Sequence, residues 1–286
     1  MSSDSVAELE RLREWIGRTE TRVYQVTAAP IAAMSATLDR EDAEPKPGTD
    51  VPPLWHWMYF MSLARQSDIG PDGHAMRGGF LPPVPLPRRM FAGGRLEFHH
   101  PLKVGDEIRR TSRIIDVSGK EGRSGTLVFV TVRHEFASAR GIALTEEHDI
   151  VYRENPRPGA PVSKPQPAPS GETFWREIVP DPVLLFRYSA LTFNGHRIHY
   201  DRPYVTGVEG YPGLIVHGPL VATLLVDLLR RNQPRVRVLR FRFRAVRPLF
   251  DIHRFTVCGH REGNSVALWA RDHEGWLAME ASADLA

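Results

Sequence analysis

Apolar and polar residues alternate along two stretches of the chain, and each stretch follows a more continuous apolar run. In the first, Gly94-Arg-Leu-Glu-Phe-His-His-Pro-Leu-Lys-Val-Gly-Asp-Glu-Ile predicts a strand, a short turn and a strand. In the second, Leu239-Arg-Phe-Arg-Phe-Arg-Ala-Val-Arg-Pro-Leu-Phe-Asp-Ile-His does the same, with Pro248-Leu249 standing where Pro101-Leu102 stands before. The following strands correspond as well: Leu127 to Glu135 with Ser265 to Asp272, then Leu144 to Tyr152 with Trp276 to Ala283. Matched elements in matched order predict an internal duplication.

Each set of strands also has a helix-like stretch before it. Pro219 to Arg231 carries Leu220, Thr223, Leu224, Asp227, Leu228 and Arg231 at helical spacing, with its proline in the first turn. It is apolar nearly all round, so it belongs in an interior. The expected counterpart in the first half is Leu54 to Arg65. A buried helix followed by antiparallel strands describes an α+β unit, a sheet curled around a central helix. Near the N-terminus Val6, Leu9, Leu12, Trp15 and Ile16 form one stripe of a further helix. Six prolines between Pro156 and Pro169 favour extended chain and mark a crossover. The expected division is therefore 1–153, a linker over 154–170, and 171–286.

Composition narrows the class. Of 286 residues, 42% are hydrophobic and 25% charged, which are globular values. No apolar run reaches the roughly 18 residues of a membrane span, so no membrane partner is expected. The opening Met-Ser-Ser-Asp-Ser-Val-Ala-Glu is too acidic for a targeting peptide, which makes the cytoplasm the expected compartment. The single Cys258 excludes an intrachain disulfide and a cysteine-based zinc cluster. A formal charge of +3 suits an anionic substrate but not a nucleic-acid partner. Gly-rich nucleotide loops, a nucleophile elbow and the metalloprotease helix motif are all missing.

The chemistry concentrates in Phe186-Arg-Tyr-Ser-Ala-Leu-Thr-Phe-Asn-Gly-His-Arg-Ile-His-Tyr-Asp-Arg-Pro-Tyr, and in Pro212-Gly-Leu-Ile-Val-His-Gly-Pro-Leu at the start of the buried helix. A histidine can take a proton from water and return it to carbon. An amide can hold that water. N–H groups at a helix start, here around Gly218, can bind a carbonyl oxygen that gains charge. His196 and His199 are spaced as metal ligands could be, but without a third ligand no metal is expected. Asp201, before Arg202-Pro203, suits a helix cap as well as a site.

These segments resemble the MaoC-type hydratase and dehydratase family, whose fold is the hot dog. Its motif is an aromatic, then Leu-Ser/Thr-Gly-Asp-x-Asn-Pro-Leu-His-x-Asp, followed by His-Gly. Tyr188, Leu191-Thr192, Ile198-His199, Asp201 and His217-Gly218 match it. Phe193 stands at the glycine and Asn194 at the aspartate. The variant string is similar to a subgroup of itaconyl- and mesaconyl-CoA hydratases and mitochondrial 3-hydroxyacyl-thioester dehydratases, as are Pro87-Arg-Arg-Met-Phe-Ala-Gly-Gly and Trp55-His-Trp.

The resemblance implies a double hot dog, with the second half catalytic and the first shaped for the acyl and pantetheine chain. It implies His199 as acid/base, Asn194 as its partner and Gly218 N–H as oxyanion donor, with Tyr188 and His217 in the substrate site. Asn194 cannot accept a proton, so His199 must perform the transfers. The expected reaction is hydration of a short dicarboxylyl-CoA in itaconate degradation, and Arg88, Arg89 and Arg197 are candidates for its second carboxylate. The alternatives are a fatty-acid-type 3-hydroxyacyl-thioester dehydratase and an acyl-CoA-binding protein without catalysis. A thioesterase fits less well, because its water must reach the carbonyl. No cofactor is expected, coenzyme A being part of the substrate, and homo-oligomerisation is left open. The alternating Arg240, Arg242 and Arg244 read as a solvated strand face or as a phosphate contact.

Overall fold

The structure, a computed structural model, describes residues 3–122, 125–155 and 164–286. Among these residues ten strands form one antiparallel sheet: β1 (Thr19–Gln25), β2 (Arg88–Phe98), β3 (Glu107–Gly122), β4 (Gly125–Ser138), β5 (Gly141–Arg153), β6 (Phe174–Ile178), β7 (Val238–Ala245), β8 (Phe255–Glu262), β9 (Ser265–Arg271) and β10 (Leu277–Leu285). Their order is β1-β3-β4-β5-β2-β7-β10-β9-β8-β6. Read from either end, the same pattern recurs with each index raised by five. The sheet is thus two five-stranded hot-dog units joined edge to edge at β2 and β7. Within the Pro-rich crossover, residues 156–163 lie outside the described residues.

The seam has a local cause. Gly93 and Gly94 pair with Arg244 and Phe243. A Cβ at Gly93 would stand 2.5 Å from Phe243 O, and one at Gly94 2.9 Å from the Phe243 ring. Only glycine lets β2 and β7 approach that closely.

Among the described residues five α-helices, α1 (Ser3–Arg13), α2 (Ala28–Thr37), α3 (Pro182–Thr192), α4 (Arg202–Gly207) and α5 (Gly218–Asn232), complete the fold. Every residue of α5 from Leu220 to Leu229 is buried, as its all-round apolar character requires. It packs on β6, β8, β9 and β10. Along β7, Phe241 and Phe243 point into the core. On the opposite face Arg240 bonds Glu97 and Arg244 bonds Glu280, so the basic face of this strand is surface. A second apolar cluster, including Leu9, Leu12, Ile114, Val130 and Tyr152, lies where α1 covers the first half's strands.

The helix expected over Leu54–Arg65 is not formed. That segment makes one 3-10 turn, Trp55–Met58, entered through Leu54 in the left-handed region at φ 71°. Its apolar residues reflect burial rather than helical periodicity, since Trp55, Met58 and Tyr59 are core residues. In the order of elements α2 follows β1 as α3 follows β6, and its Ile31 and Met34 enter the core shared by both halves. Inside α5, Asp227 is 1% exposed and accepts from Arg40 Nη1 (2.6 Å), Arg231 Nε (2.7 Å) and Arg176 Nη1 (3.3 Å). Arg40 comes from the first half, so this cluster ties the halves together.

Candidate active site

Helix α3 starts at Asp181, whose carboxylate accepts the Val183 and Leu184 N–H groups at 2.8 and 3.2 Å. It stops at Phe193, in the left-handed conformation at φ 50°. That explains the glycine of the family motif at this position: the chain must turn here, and glycine does so without Cβ strain. Asn194 Oδ1 then accepts the His196 N–H at 3.0 Å, closing a tight turn. A 3-10 turn, Arg197–His199, follows. Asp201 caps α4 by accepting the Tyr204 N–H at 3.1 Å and also pairs with Arg197, so it is structural.

His199 is buried, and its Nδ1–H donates to Ile215 O at 2.7 Å. This fixes the tautomer and leaves Nε2 with a lone pair. Burial is the main cause that pulls its pKa down to about 4, against the Ile215 hydrogen bond, so the ring is neutral near pH 7. Its ring stacks on His217, with centroids 3.6 Å apart and planes 18° apart. His217 Nε2 in turn pairs with Ser189 Oγ at 2.8 Å, and Tyr188 meets His217 edge-on at 5.0 Å. Tyr188 and His217 are almost wholly buried. His217 packs on the His199 ring and Tyr188 packs on His217.

The residue after His217 is Gly218, which opens α5. Among the described residues nothing accepts its N–H, and the helix dipole adds positive charge at that point. A Cβ there would lie 3.4 Å from the Phe91 ring of the first half. Phe91 stacks on Phe243 and meets His148 and Trp57 edge-on, so an aromatic wall from both halves adjoins the helix start.

A loop of the first half also reaches the turn that carries Asn194, His196 and His199. Gly73, at φ +90°, has no room for a side chain, because a Cβ would stand 1.9 Å from Gly195 O. The Arg197 N–H donates to Asp72 O at 2.9 Å, and Arg197 Nη1 donates to Pro71 O at 3.0 Å. Through this contact Asp72 and His74 join His196: one donor atom from each lies within 4.8 Å of the others. The His74 and His196 ring centroids are 4.0 Å apart, and those of His196 and His199 5.4 Å. Burial, then His74 and His199, press the His196 pKa down to about 2. Sequence reasoning missed Asp72 and His74. Pro71-Asp-Gly-His reads as turn chemistry, and nothing local shows that the turn seats on Gly195.

The three arginine candidates separate. Arg88 donates to Tyr211 Oη (2.8 Å), Glu209 O (2.8 Å) and Asn155 Oδ1 (3.0 Å), which commits it to the fold. Arg197 is taken by Asp201 and Pro71 and lies over the Tyr204 ring at 4.1 Å. Arg89 sits on the same face of β2 as Phe91, two residues away. It is half-buried, stands opposite Tyr152 in the β2–β5 ladder and has no carboxylate partner among the described residues. Its charge helps to lower the pKa values of His74, His148 and His196.

Comparisons with known proteins place the chain in a family. A family model, hydroxyacyl-thioester dehydratase type 2, matches residues 54–251. Mesaconyl-C(4)-CoA hydratase of Chloroflexus aurantiacus is 48% identical over 274 residues, spanning 95% of this chain and 96% of that protein. The mitochondrial hydroxyacyl-thioester dehydratase type 2 of Schizosaccharomyces pombe is 27% identical, spanning 77% of this chain and 80% of its own. Among solved structures, a MaoC-like dehydratase superposes with a TM-score of 0.71 at 14% identity, covering 96% of this chain and 99% of that one. A doubled hot dog, a histidine turn set on a buried helix start, and these likenesses lead to one assignment: the chain belongs to the hydroxyacyl-thioester dehydratase type 2 family of MaoC-like hydro-lyases.

Proposed function

We propose that the protein adds water across the carbon–carbon double bond of a short dicarboxylyl-CoA, with mesaconyl-CoA or itaconyl-CoA as its substrate. The observation that carries this is the fixed tautomer of His199, which presents a proton-accepting Nε2 beside the start of α5. The thioester carbonyl of a mesaconyl-type substrate accepts the Gly218 N–H. Water, steadied by the Asn194 amide, gives one proton to His199 Nε2 as its oxygen bonds the β-carbon. The electron pair of the double bond moves to the thioester oxygen, where the helix start stabilises it. His199 then delivers its proton to the α-carbon. Phe91, Trp57 and Phe243 bound the acyl chain.

In a mesaconyl-type substrate the second carboxylate sits on the carbon that receives the hydroxyl. Its partner must therefore lie near the histidines, and Arg89 is the candidate guanidinium without a carboxylate there. The likeness to the mesaconyl-C(4)-CoA hydratase supports the same substrate class. No redox cofactor enters the reaction, and coenzyme A belongs to the substrate. We assign the protein to the breakdown of itaconate-derived thioesters in the cytoplasm. The second reading, favoured by the family match, is the reverse reaction on 3-hydroxyacyl thioesters.

The test is hydration of itaconyl-, mesaconyl-, crotonyl- and a medium-chain enoyl-CoA, followed by mass spectrometry, with His199→Ala and Arg89→Ala alongside. Turnover confined to the C5 dicarboxylates, lost in His199→Ala and selectively weakened in Arg89→Ala, is the expected result. A preference for linear enoyl-CoAs would move the protein to the dehydratases. Tight binding without turnover would make it an acyl-CoA-binding protein.

A further inference from the structure

The hydration has one requirement that His199 alone does not meet. Water attacks through a lone pair, and both of its hydrogens need acceptors if that lone pair is to point at carbon. His199 Nε2 takes one hydrogen. Asn194 is poorly suited to the other: its Oδ1 already accepts the His196 N–H at 3.0 Å, and its NH2 only donates. An aspartate in its place would offer a second oxygen.

We propose that His74, held by Asp72, accepts the second hydrogen of the attacking water, so that the first half supplies a catalytic residue in place of the carboxylate that Asn194 replaces. The proposal rests on the hydratase reading of the site. Asp72 Oδ2 accepts from His74 Nδ1–H at 3.0 Å, and Asp72 Oδ1 accepts the His74 backbone N–H at 3.0 Å. With Nδ1 carrying the proton, Nε2 keeps its lone pair, and among the described residues no side chain or backbone group bonds it. The loop is locked in place by the Gly73–Gly195 contact and by both Arg197 bonds to Pro71 and Asp72. The His74 ring lies against His196, which adjoins His199.

Burial lowers the His74 pKa more than Asp72 raises it, so the ring is a neutral acceptor. Burial also works to raise Asp72, but its bonds from His74 outweigh this and keep it well below the usual carboxylate range. The step balances. The water oxygen bonds the β-carbon, and the π pair moves to the thioester oxygen. One proton travels by His199 to the α-carbon. The other hydrogen stays on oxygen as the product hydroxyl, and His74 ends as it began.

The same three side chains, Asp72, His74 and His196, could instead ligate a divalent cation. A metal on Asp72 Oδ2 and His74 Nδ1 would displace the proton between them, so metal content separates the two readings.

The experiment compares His74→Ala, His74→Gln and Asp72→Asn with the wild type and with His199→Ala. It reads kcat, KM, thermal melting and metal content of the purified protein. His74→Ala and Asp72→Asn should each lower kcat about a hundredfold with KM changed less than about threefold. Asp72→Asn acts because its amide donates to Nδ1 and pushes the proton onto Nε2. His74→Gln restores an acceptor and should recover part of the rate.

Wild-type kcat in folded His74→Ala and Asp72→Asn, with His199→Ala inactive, would overturn the proposal and leave the hydratase reading intact. So would a rise in KM alone. A stoichiometric metal in the wild type that is lost from His74→Ala would overturn it in favour of the cation site. Full turnover by His199→Ala would remove the hydratase assignment of the site and this proposal with it.

Discussion

At the scale of single residues, the site depends on atoms whose roles are fixed by their neighbours. Ile215 O makes His199 an acceptor at Nε2, and burial keeps it uncharged. The pH dependence follows from the sign of that shift. Only the neutral ring can take a proton, so kcat should stay level from about pH 6 to 9 and fall as the pH drops toward about 4. A stopped-flow pH profile with a limb near the ordinary histidine value of 6.5 would contradict this effect of burial. His199, Asn194 and Gly218 stand out in the sequence as candidates because they are close in the chain and match a spaced motif. Asp72 and His74 were not, because they lie more than a hundred residues away and reach His196 only through a backbone contact. The arginines were legible as a set. Separating Arg89 from Arg88 and Arg197 required knowing which guanidinium groups the fold already uses.

At the scale of elements, the duplicated strands and α5 read well, whereas β1, β6, α2 and α3 were not seen. The duplicated strands kept their alternation because each has one face in the core. Helix α5 was plain from its apolar length. By contrast, α2 is rich in alanine and carries Pro30 in its first turn, so its stripe is weak, whereas the aromatic run at 55–60 is buried without being helical. The loop that carries Asp72 and His74 behaves as an element in its own right. Gly73→Ala should lift it off Gly195, because the added Cβ meets a carbonyl oxygen at 1.9 Å and φ is +90°. We expect kcat/KM to fall at least about tenfold while the melting temperature drops only a few degrees, since the strain is about 1–2 kcal/mol and the loop can move away. Unchanged kcat/KM would show that the loop's seating does not matter to turnover.

At the scale of the whole molecule, the two halves share one core and one buried anion. Asp227 gathers Arg40, Arg176 and Arg231, and removing it leaves Arg176 and Arg231 without a carboxylate among the described residues and Arg40 with Asp42 alone. Asp227→Ala should cost about 3–5 kcal/mol and lower the melting temperature by roughly 10 °C in calorimetry. Arg176→Ala, which removes one longer contact of the three, should cost far less; equal losses would argue against a shared anchor. The pseudo-twofold sheet order has a further consequence, for association rather than catalysis. Two separate hot-dog sheets would expose four strand edges. Joining β2 to β7 hides two of them, leaving β1 with seven residues and β6 with five. Both are short and carry charges, Glu20 and Arg22 on one and Arg176 and Glu177 on the other, which makes them poor templates for a further strand. Fusion of the halves thus gives the folded chain protection against growing, strand by strand, into a fibre.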